Sequence, residues 1–232
     1  MLSIADLVLV ICPSQAASSI AAEVAGHSYD GVYIDANAIS PQRMLDIVAT
    51  ASAAGATVID DSIFGAPPND QRSIRLYLAG NGASQIAGLF EGSQVEPTVL
   101  EEPLGSASAL KMAFASFQRG SRALAALAHA LADDHGLSDQ LVAEAERMGS
   151  GILADRDYLP SVAARAWRWQ PELDEVAATQ RASGLPDGLA VATGDVFEQL
   201  TPLKDDWTAN LRDVLARLHV ATTDVRPSDP RQ

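Results

Sequence analysis

Residues 7–11 read LVLVI, a run of five apolar side chains that is followed by Cys12. A continuous apolar run of this length is typical of a parallel β-strand that is buried on both faces. Pro13 and Ser14 then open an alanine-rich stretch that extends to Gly26. This stretch predicts a helix with Ser14 as its N-cap and Gly26 as its C-cap.

The alternation of strand and helix continues along the chain. Residues 32–34 (VYI) predict a second strand, and Ser40 followed by Pro41 predicts the start of a second helix. Serine is favoured as an N-cap, and proline is favoured at the first helical position. This helix should end at Gly55, and residues 56–59 (ATVI) predict a third strand. Short joints between strands and helices predict a parallel sheet with crossover helices.

The character of the sequence changes near Gly105. Before it, strands are predicted over 73–78 and 95–100, with a short helix over 82–90. Beyond it, no strand pattern occurs, and helices are predicted over 106–134, 138–149, 158–182 and 207–219. We therefore expect an α/β domain over residues 1–103, an all-α domain over 104–220 and a flexible tail over 221–232.

Composition excludes several classes of protein. The 232 residues are 47% hydrophobic and carry a formal net charge of −14, whereas nucleic-acid-binding domains are usually basic. No apolar run approaches the ~20 residues of a membrane span. The single cysteine, Cys12, and a first basic residue as late as Arg43 favour a cytoplasmic protein without a signal peptide. We expect a small-molecule substrate, and neither a nucleic acid nor a membrane as partner.

Lys111 is the most informative single residue. Residues 104–118 read LGSASALKMAFASFQ, and Lys111 is the one charged side chain among them. A buried lysine is costly but serves well as a general acid or base, because its pKa shifts readily. The alternative is a surface lysine whose stem lies along apolar neighbours while its ammonium group stays in water.

The segment around Lys111 resembles the β-hydroxyacid dehydrogenase superfamily, which includes 6-phosphogluconate and 3-hydroxyisobutyrate dehydrogenases. That superfamily carries G-x-G-x-x-x-K at the start of a long interdomain helix. Gly105 and Lys111 match this pattern, and Ala107 replaces its second glycine.

Other segments extend the resemblance over about residues 5 to 200. Residues 60–66 (DDSIFGA) resemble the superfamily's substrate-binding D-A-P-x-S-G-G, with Phe64 at the serine position. Residues 35–41 (DANAISP) resemble its D-x-S-T-x-x-P. Residues 165–188, which include RAWRW, ELDEVA and GLPDG, resemble one branch, named for a phosphogluconate dehydrogenase NAD-binding C-terminal domain.

The resemblance implies a truncated Rossmann-like sheet and an NAD(P)-dependent oxidoreductase. The reaction would be hydride transfer on a small hydroxy acid or a related carbonyl or imine, with Lys111 as the catalytic general acid/base. The implied substrate-binding residues are Asp60, Ser62, Phe64, Gly65 and Gly105. The implied cofactor-binding residues, which face the nicotinamide of NAD or NADP, are Cys12, Pro13, Ser14 and Asn37. The helical half would complete the pocket and form a homodimer, and no metal is expected.

Two departures leave alternatives open. Phe114 and Ala115 occupy the positions, one turn after Lys111, where the superfamily has an asparagine. The phosphate-binding G-x-G-x-x-G is absent from the sequence, although a dinucleotide fold opens with it. We expect a missing N-terminal part, with Met1 as a wrongly chosen start. The alternatives are an inactive truncated relative that acts as a binding or scaffolding subunit, and an enzyme that forms a Schiff base on Lys111.

Overall fold

The computed structural model describes residues 4–69 and 71–219. The chain divides into two compact units. Unit 1 comprises Met1–Ser116 and Pro171–Gly188, and unit 2 comprises Phe117–Gln170 and Leu189–Gln232. Neither unit ends near residue 103, where the sequence predicts a domain boundary. The division into domains at residue 103 stays a prediction. The predicted flexible tail, residues 221–232, lies outside the described residues.

Unit 1 contains a five-stranded sheet with the strand order β1-β2-β3-β4-β5. The strands are β1 (Leu7–Val10), β2 (Val32–Asp35), β3 (Thr57–Phe64), β4 (Ile74–Ala79) and β5 (Val95–Val99). Three of the pairings are parallel, which confirms the predicted Rossmann-like sheet, but β3 and β4 pair antiparallel. The described residues between β3 and β4 contain no helix, so the chain reverses directly instead of making a crossover.

Three helices of unit 1 flank the sheet: α1 (Ala17–Gly26), α2 (Pro41–Ala53) and α3 (Ala83–Gly88). The predicted N-cap of α2 is confirmed, because the Ser40 side chain accepts a hydrogen bond from the Arg43 amide. The predicted N-cap of α1 is wrong. Ser14 instead begins a 3₁₀ turn, is buried and makes no capping bond with its side chain.

Two apolar clusters lie on opposite faces of the sheet, because successive strand residues point to opposite sides. Tyr33 and Val58 pack with α1 and α2, whereas their neighbours Ile34 and Ile59 pack with α3.

The remaining helices follow the sheet in the order α4 (Ser106–Asp134), α5 (Ser138–Arg147), α6 (Gly151–Ala154), α7 (Leu159–Ala182), α8 (Gly188–Gln199) and α9 (Leu211–Arg217). The three long predicted helices before residue 183 are confirmed. The sequence pattern missed α8, since Gly188, Thr193 and Gly194 all have weak helix propensity. Within the described part of the chain, no helix combines the length and the apolar character needed to cross a membrane.

Candidate functional site

The N-terminus of α4 is held by one carboxylate from β3. Asp60 Oδ2 accepts hydrogen bonds from the backbone N–H groups of Gly105 (2.9 Å), Ala107 (3.0 Å) and Ser108 (3.2 Å). Asp60 Oδ1 accepts a fourth from the Ser108 hydroxyl at 2.7 Å. The first N–H groups of a helix have no partner inside it and carry partial positive charge, so this buried carboxylate both caps α4 and complements its dipole.

Ser62 and Gly105 complete the joint between β3 and α4. The buried Ser62 hydroxyl donates a hydrogen bond to the Ala107 carbonyl at 2.8 Å. Gly105 has a φ of +95°, a conformation that glycine adopts without the strain of a Cβ atom. This conformation lets the chain turn into α4. The start of the helix is bonded to β3 at Gly105, through Asp60, and at Ala107, through Ser62.

Lys111 lies on α4 just past this joint. Its ammonium group donates a 2.6 Å hydrogen bond to the Ile63 carbonyl and lies 4.8 Å from the centre of the Phe64 ring. The side chain is half-buried. An ammonium group has three N–H donors, so a bond to Ile63 is compatible with a second bond to a substrate oxygen.

Phe64 is the centre of a small aromatic cluster. It is buried, and its ring meets those of Tyr77 and Phe114 edge-on, each at 5.1 Å between ring centres. Gly65 follows with a φ of +121°, which ends β3 in a turn. Lys111 therefore rests on an aromatic surface at the end of β3.

The predicted cofactor residues lie together at the carboxyl ends of β1 and β2. The Asn37 side chain accepts a 2.6 Å hydrogen bond from the Cys12 amide and donates one of 2.9 Å to Asp35. Asn37 is buried, whereas Pro13 is exposed and Cys12 is half-buried. Asn37 thus fixes the turn after β1 and leaves that turn accessible.

A second network fixes the same two loops. Arg43 donates a 3.0 Å hydrogen bond to the Ser14 carbonyl and forms a 2.7 Å ion pair with Glu175. The buried Glu175 carboxylate also accepts a 2.8 Å hydrogen bond from the Ser40 amide. The turn after β1 and the start of α2 are therefore tied to α7.

Three carboxylates, those of Asp35, Asp60 and Asp61, are buried in the sheet. Burial raises the pKa of Asp35 to about 6 although Asn37 hydrogen bonds oppose the rise, and raises that of Asp61 to about 7. Burial also raises the pKa of Asp60, against the bonds from α4. Asp61 Oδ1 has no hydrogen-bond partner among the described residues, so the protonated form is favoured at this position.

The predicted residues therefore form two groups. One group, on β3 and α4, contains Lys111 and the five predicted substrate residues, and the other contains Cys12, Pro13, Ser14 and Asn37. Sequence reasoning missed Arg43 and Glu175, whose pairing spans more than a hundred residues, and it missed Asp61 as a buried acid. The sequence did carry a signal for the buried acid Asp61. Two consecutive aspartates, Asp60 and Asp61, lie inside a predicted strand, and both faces of a central strand are buried.

No metal centre is formed by the described residues. Among them, no group of three or more His, Cys, Asp or Glu side chains is arranged so that it could hold an ion.

Comparison with known proteins relates the chain to dehydrogenases. A family model described as a domain of unknown function (DUF1932) matches residues 132–200. No curated protein matches the sequence. A conserved hypothetical protein from Sinorhizobium meliloti 1021 is 21% identical with a TM-score of 0.70, and the match covers 94% of this chain and 75% of that one.

Two further solved structures share the fold. A 3-hydroxyisobutyrate dehydrogenase from Mycobacterium tuberculosis, solved with L-serine, is 16% identical with a TM-score of 0.70, covering 94% of this chain and 81% of that one. A conserved protein of unknown function, described as structurally similar to 3-hydroxyacid dehydrogenases, is 22% identical with a TM-score of 0.63, covering 88% of this chain and 78% of that one. These matches agree with the predicted resemblance, and they show that the chain shares the fold of 3-hydroxyacid dehydrogenase structures.

Proposed function

We propose that this chain acts as an NAD(P)-dependent oxidoreductase on a small hydroxy acid or a related carbonyl or imine. The observation that carries the proposal is the position of Lys111. Its ammonium group is held at the end of β3 by the 2.6 Å bond to Ile63, on a helix whose start is fixed by Asp60. A lysine fixed in this way at the carboxyl end of β3 has the geometry of a general acid/base.

Lys111 moves the proton of the reaction. In oxidation, neutral Lys111 accepts the proton of the substrate hydroxyl group as the C–O bond gains double-bond character. In reduction, the Lys111 ammonium group donates a proton to the carbonyl oxygen or imine nitrogen. The hydride acceptor or donor would be the nicotinamide of NAD or NADP, which the loop after β1 would hold. The hydrogen bond from Lys111 to Ile63 orients the Nζ atom, which lowers the entropic cost of reaching the reacting oxygen.

The loop after β1 fits the nicotinamide end of the cofactor. Ligands of open α/β sheets bind in the crevice outside the carboxyl ends of the strands, and Cys12, Pro13 and Ser14 lie at that end of β1. The buried amide of Asn37 holds the Cys12 backbone, and Pro13 is exposed beside it. Asn37 therefore positions the loop, while the exposed turn offers the contact surface. We assign no residue of this chain to the pyrophosphate.

The predicted substrate residues divide between two roles. Asp60, Ser62 and Gly105 position Lys111, because their polar groups or backbone conformation build the start of α4. Phe64 and Gly65 lie at the end of β3 on the substrate side of Lys111, whose ammonium group is over the buried Phe64 ring.

Unit 2 supports the proposed homodimer. Phe117, Leu124 and Leu131 are 70%, 57% and 62% exposed and recur every seven residues along α4. Ser121 and Ala128 lie between them, so one face of the helix is apolar or small throughout. This spacing is that of a helix seam that packs against another helix, and a second copy of the chain supplies a matching one.

A fluorescence titration of the 232-residue chain with NADH and NADPH tests the proposal. We expect saturable enhancement or a blue shift of nucleotide emission with a micromolar dissociation constant. A folded, soluble sample that binds neither nucleotide contradicts the enzyme and supports the alternative of a binding or scaffolding subunit. Borohydride trapping of a carbonyl compound on Lys111 would instead favour Schiff-base chemistry.

A further inference from the structure

The polar side chains on the β3 face next to Lys111 are already bonded within the protein. Asp60 accepts four hydrogen bonds from α4, and both of its oxygens take part. The Ser62 hydroxyl donates to the Ala107 carbonyl. Both side chains are no more than 1% exposed. Neither residue offers a hydrogen bond to a substrate unless the start of α4 comes apart.

Three aromatic side chains lie at the end of β3, where the exposed Arg75 of β4 is also paired with Phe64. Phe64, Tyr77 and Phe114 are in ring contact, and Lys111 Nζ lies over the first of them. Phe114 follows Lys111 by three positions on α4, so the two side chains share a face of the helix. Phe114 is 47% exposed despite its contact with Phe64, so it is the accessible ring next to the one that the ammonium group covers.

Resting on the proposed function, we infer that the group bonded to the reacting carbon is aromatic or bulky and apolar, and that Phe114 selects it. A reacting oxygen within hydrogen-bond reach of Lys111 Nζ brings the rest of the substrate against the aromatic cluster. An aromatic or branched alkyl group gains ring contacts there. A polyhydroxylated chain loses water from its hydroxyl groups where it covers the Phe114 ring, which returns no hydrogen bond.

Isothermal titration calorimetry of the full chain with three hydroxy acids tests the inference without turnover. The probes are 3-hydroxy-3-phenylpropanoate, 3-hydroxypropanoate and gluconate, which share a carboxylate and differ in the body of the molecule. We expect the phenyl compound to bind about tenfold more tightly than 3-hydroxypropanoate, and gluconate to bind most weakly. Equal affinities, or tightest binding of gluconate, overturn the inference, as does failure of the phenyl compound to bind at up to about 10 mM.

A pair of variants locates the preference. Phe114→Asn removes the exposed ring and should reduce the tenfold preference for the phenyl compound to about threefold or less. Leu45→Asn is the matched control, because Leu45 is 45% exposed, close to the exposure of Phe114, and lies on α2 rather than on β3, β4 or α4. The control should keep the full preference. A Phe114→Asn protein that stays folded and keeps the preference also overturns the inference.

The inference and the proposed function fail in different ways. If the chain binds neither NADH nor NADPH but prefers the phenyl compound through Phe114, only the oxidoreductase is contradicted. If the chain oxidises gluconate with NAD(P) and Phe114→Asn leaves that rate unchanged, only the aromatic selection is contradicted.

Discussion

Asp60 on β3 and Ser108 on α4 are joined by a 2.7 Å hydrogen bond between carboxylate and hydroxyl. The same carboxylate accepts three backbone N–H groups of the first turn of α4. Lys111 lies one turn further along that helix. The position of the proposed general acid/base therefore depends on one buried carboxylate of the neighbouring strand.

Asp60→Asn should destabilise the protein strongly. The amide group replaces one acceptor oxygen with a donor that faces N–H or O–H donors, and it removes the negative charge opposite the helix dipole. We expect the free energy of unfolding to fall by about 3 kcal/mol, since a buried charged acceptor with several bonds is lost. Urea denaturation followed by circular dichroism measures this change.

Asp195→Asn is the control for this substitution. Asp195 is exposed on α8, so its amide variant should change the free energy of unfolding by less than about 0.5 kcal/mol. An Asp60→Asn protein that is as stable as this control would show that Asp60 does not hold the start of α4.

The raised pKa of Asp61 leads us to expect that the free energy of unfolding depends on pH. Burial raises its pKa from 3.8 to about 7, so the folded state binds a proton more tightly than the unfolded state does. A raised folded-state pKa stabilises the protein fully below pH 3.8, and this contribution is lost as the pH rises through about 7. Asp61→Asn removes the titration, so we expect it to add about 2 kcal/mol more stability at pH 8 than at pH 5.

Denaturation of both proteins at the two pH values measures this difference. Comparing pH values cancels the cost of fitting an amide at this position, because that cost does not titrate. The exposed Asp195→Asn variant should show no such difference between pH 5 and pH 8. A pH-independent effect of Asp61→Asn would mean that Asp61 is ionised in the folded protein throughout this range.

The order of elements was predictable because local signals agree with the tertiary structure. The apolar run of residues 7–11, the Ser40-Pro41 start signal and Gly55 each act over a few residues, and each predicted its element. The expected burial of the first strand on both faces is wrong, because β1 is the first strand in the sheet order and Leu9 is 44% exposed. The antiparallel pairing of β4 was not predictable in this way. It depends on which strand β4 lies beside and on the direct reversal of the chain after β3, and neither is a property of the β4 residues alone.

The sequence predicted which residues form the candidate site, but it did not predict the hydrogen bonds between them. Lys111 stood out because it is the single charge among residues 104–118, and the Phe64 ring beneath its ammonium group agrees with that prediction. The role of Asp60 as a helix cap was not visible, because the donors lie 45 or more residues away in the sequence. The Arg43–Glu175 pair spans 132 positions, so no local pattern connects its members.

Leu124 tests the proposed homodimer. It is 57% exposed in the middle of the apolar face formed by Phe117, Leu124 and Leu131. Leu124→Glu places a charge at the centre of the seam, where it has no partner in the other copy. We expect analytical ultracentrifugation to show a dimer for the unsubstituted chain and a monomer for the variant. Leu89→Glu, at a residue 68% exposed in unit 1, should leave the dimer intact.

Both proteins must be folded for this comparison, which circular dichroism establishes. A monomer before substitution contradicts the dimer outright. A dimer that survives Leu124→Glu but is lost in another variant of unit 2 would place the interface on a different helix face.

Lys111→Met provides the most direct test of the chemistry. Methionine keeps much of the length of the side chain and its contact with Phe64, but it can neither accept nor donate the proton. On any hydroxy acid that supports NAD(P)⁺ reduction, we expect kcat to fall by about 10³-fold, the usual worth of a positioned acid/base. The affinity for NADH or NADPH should stay unchanged, because the proposed nicotinamide contacts lie on the loop after β1. Lys204→Met, at the other lysine of the chain, should keep full activity, and an unchanged kcat/KM in Lys111→Met would remove Lys111 from the mechanism.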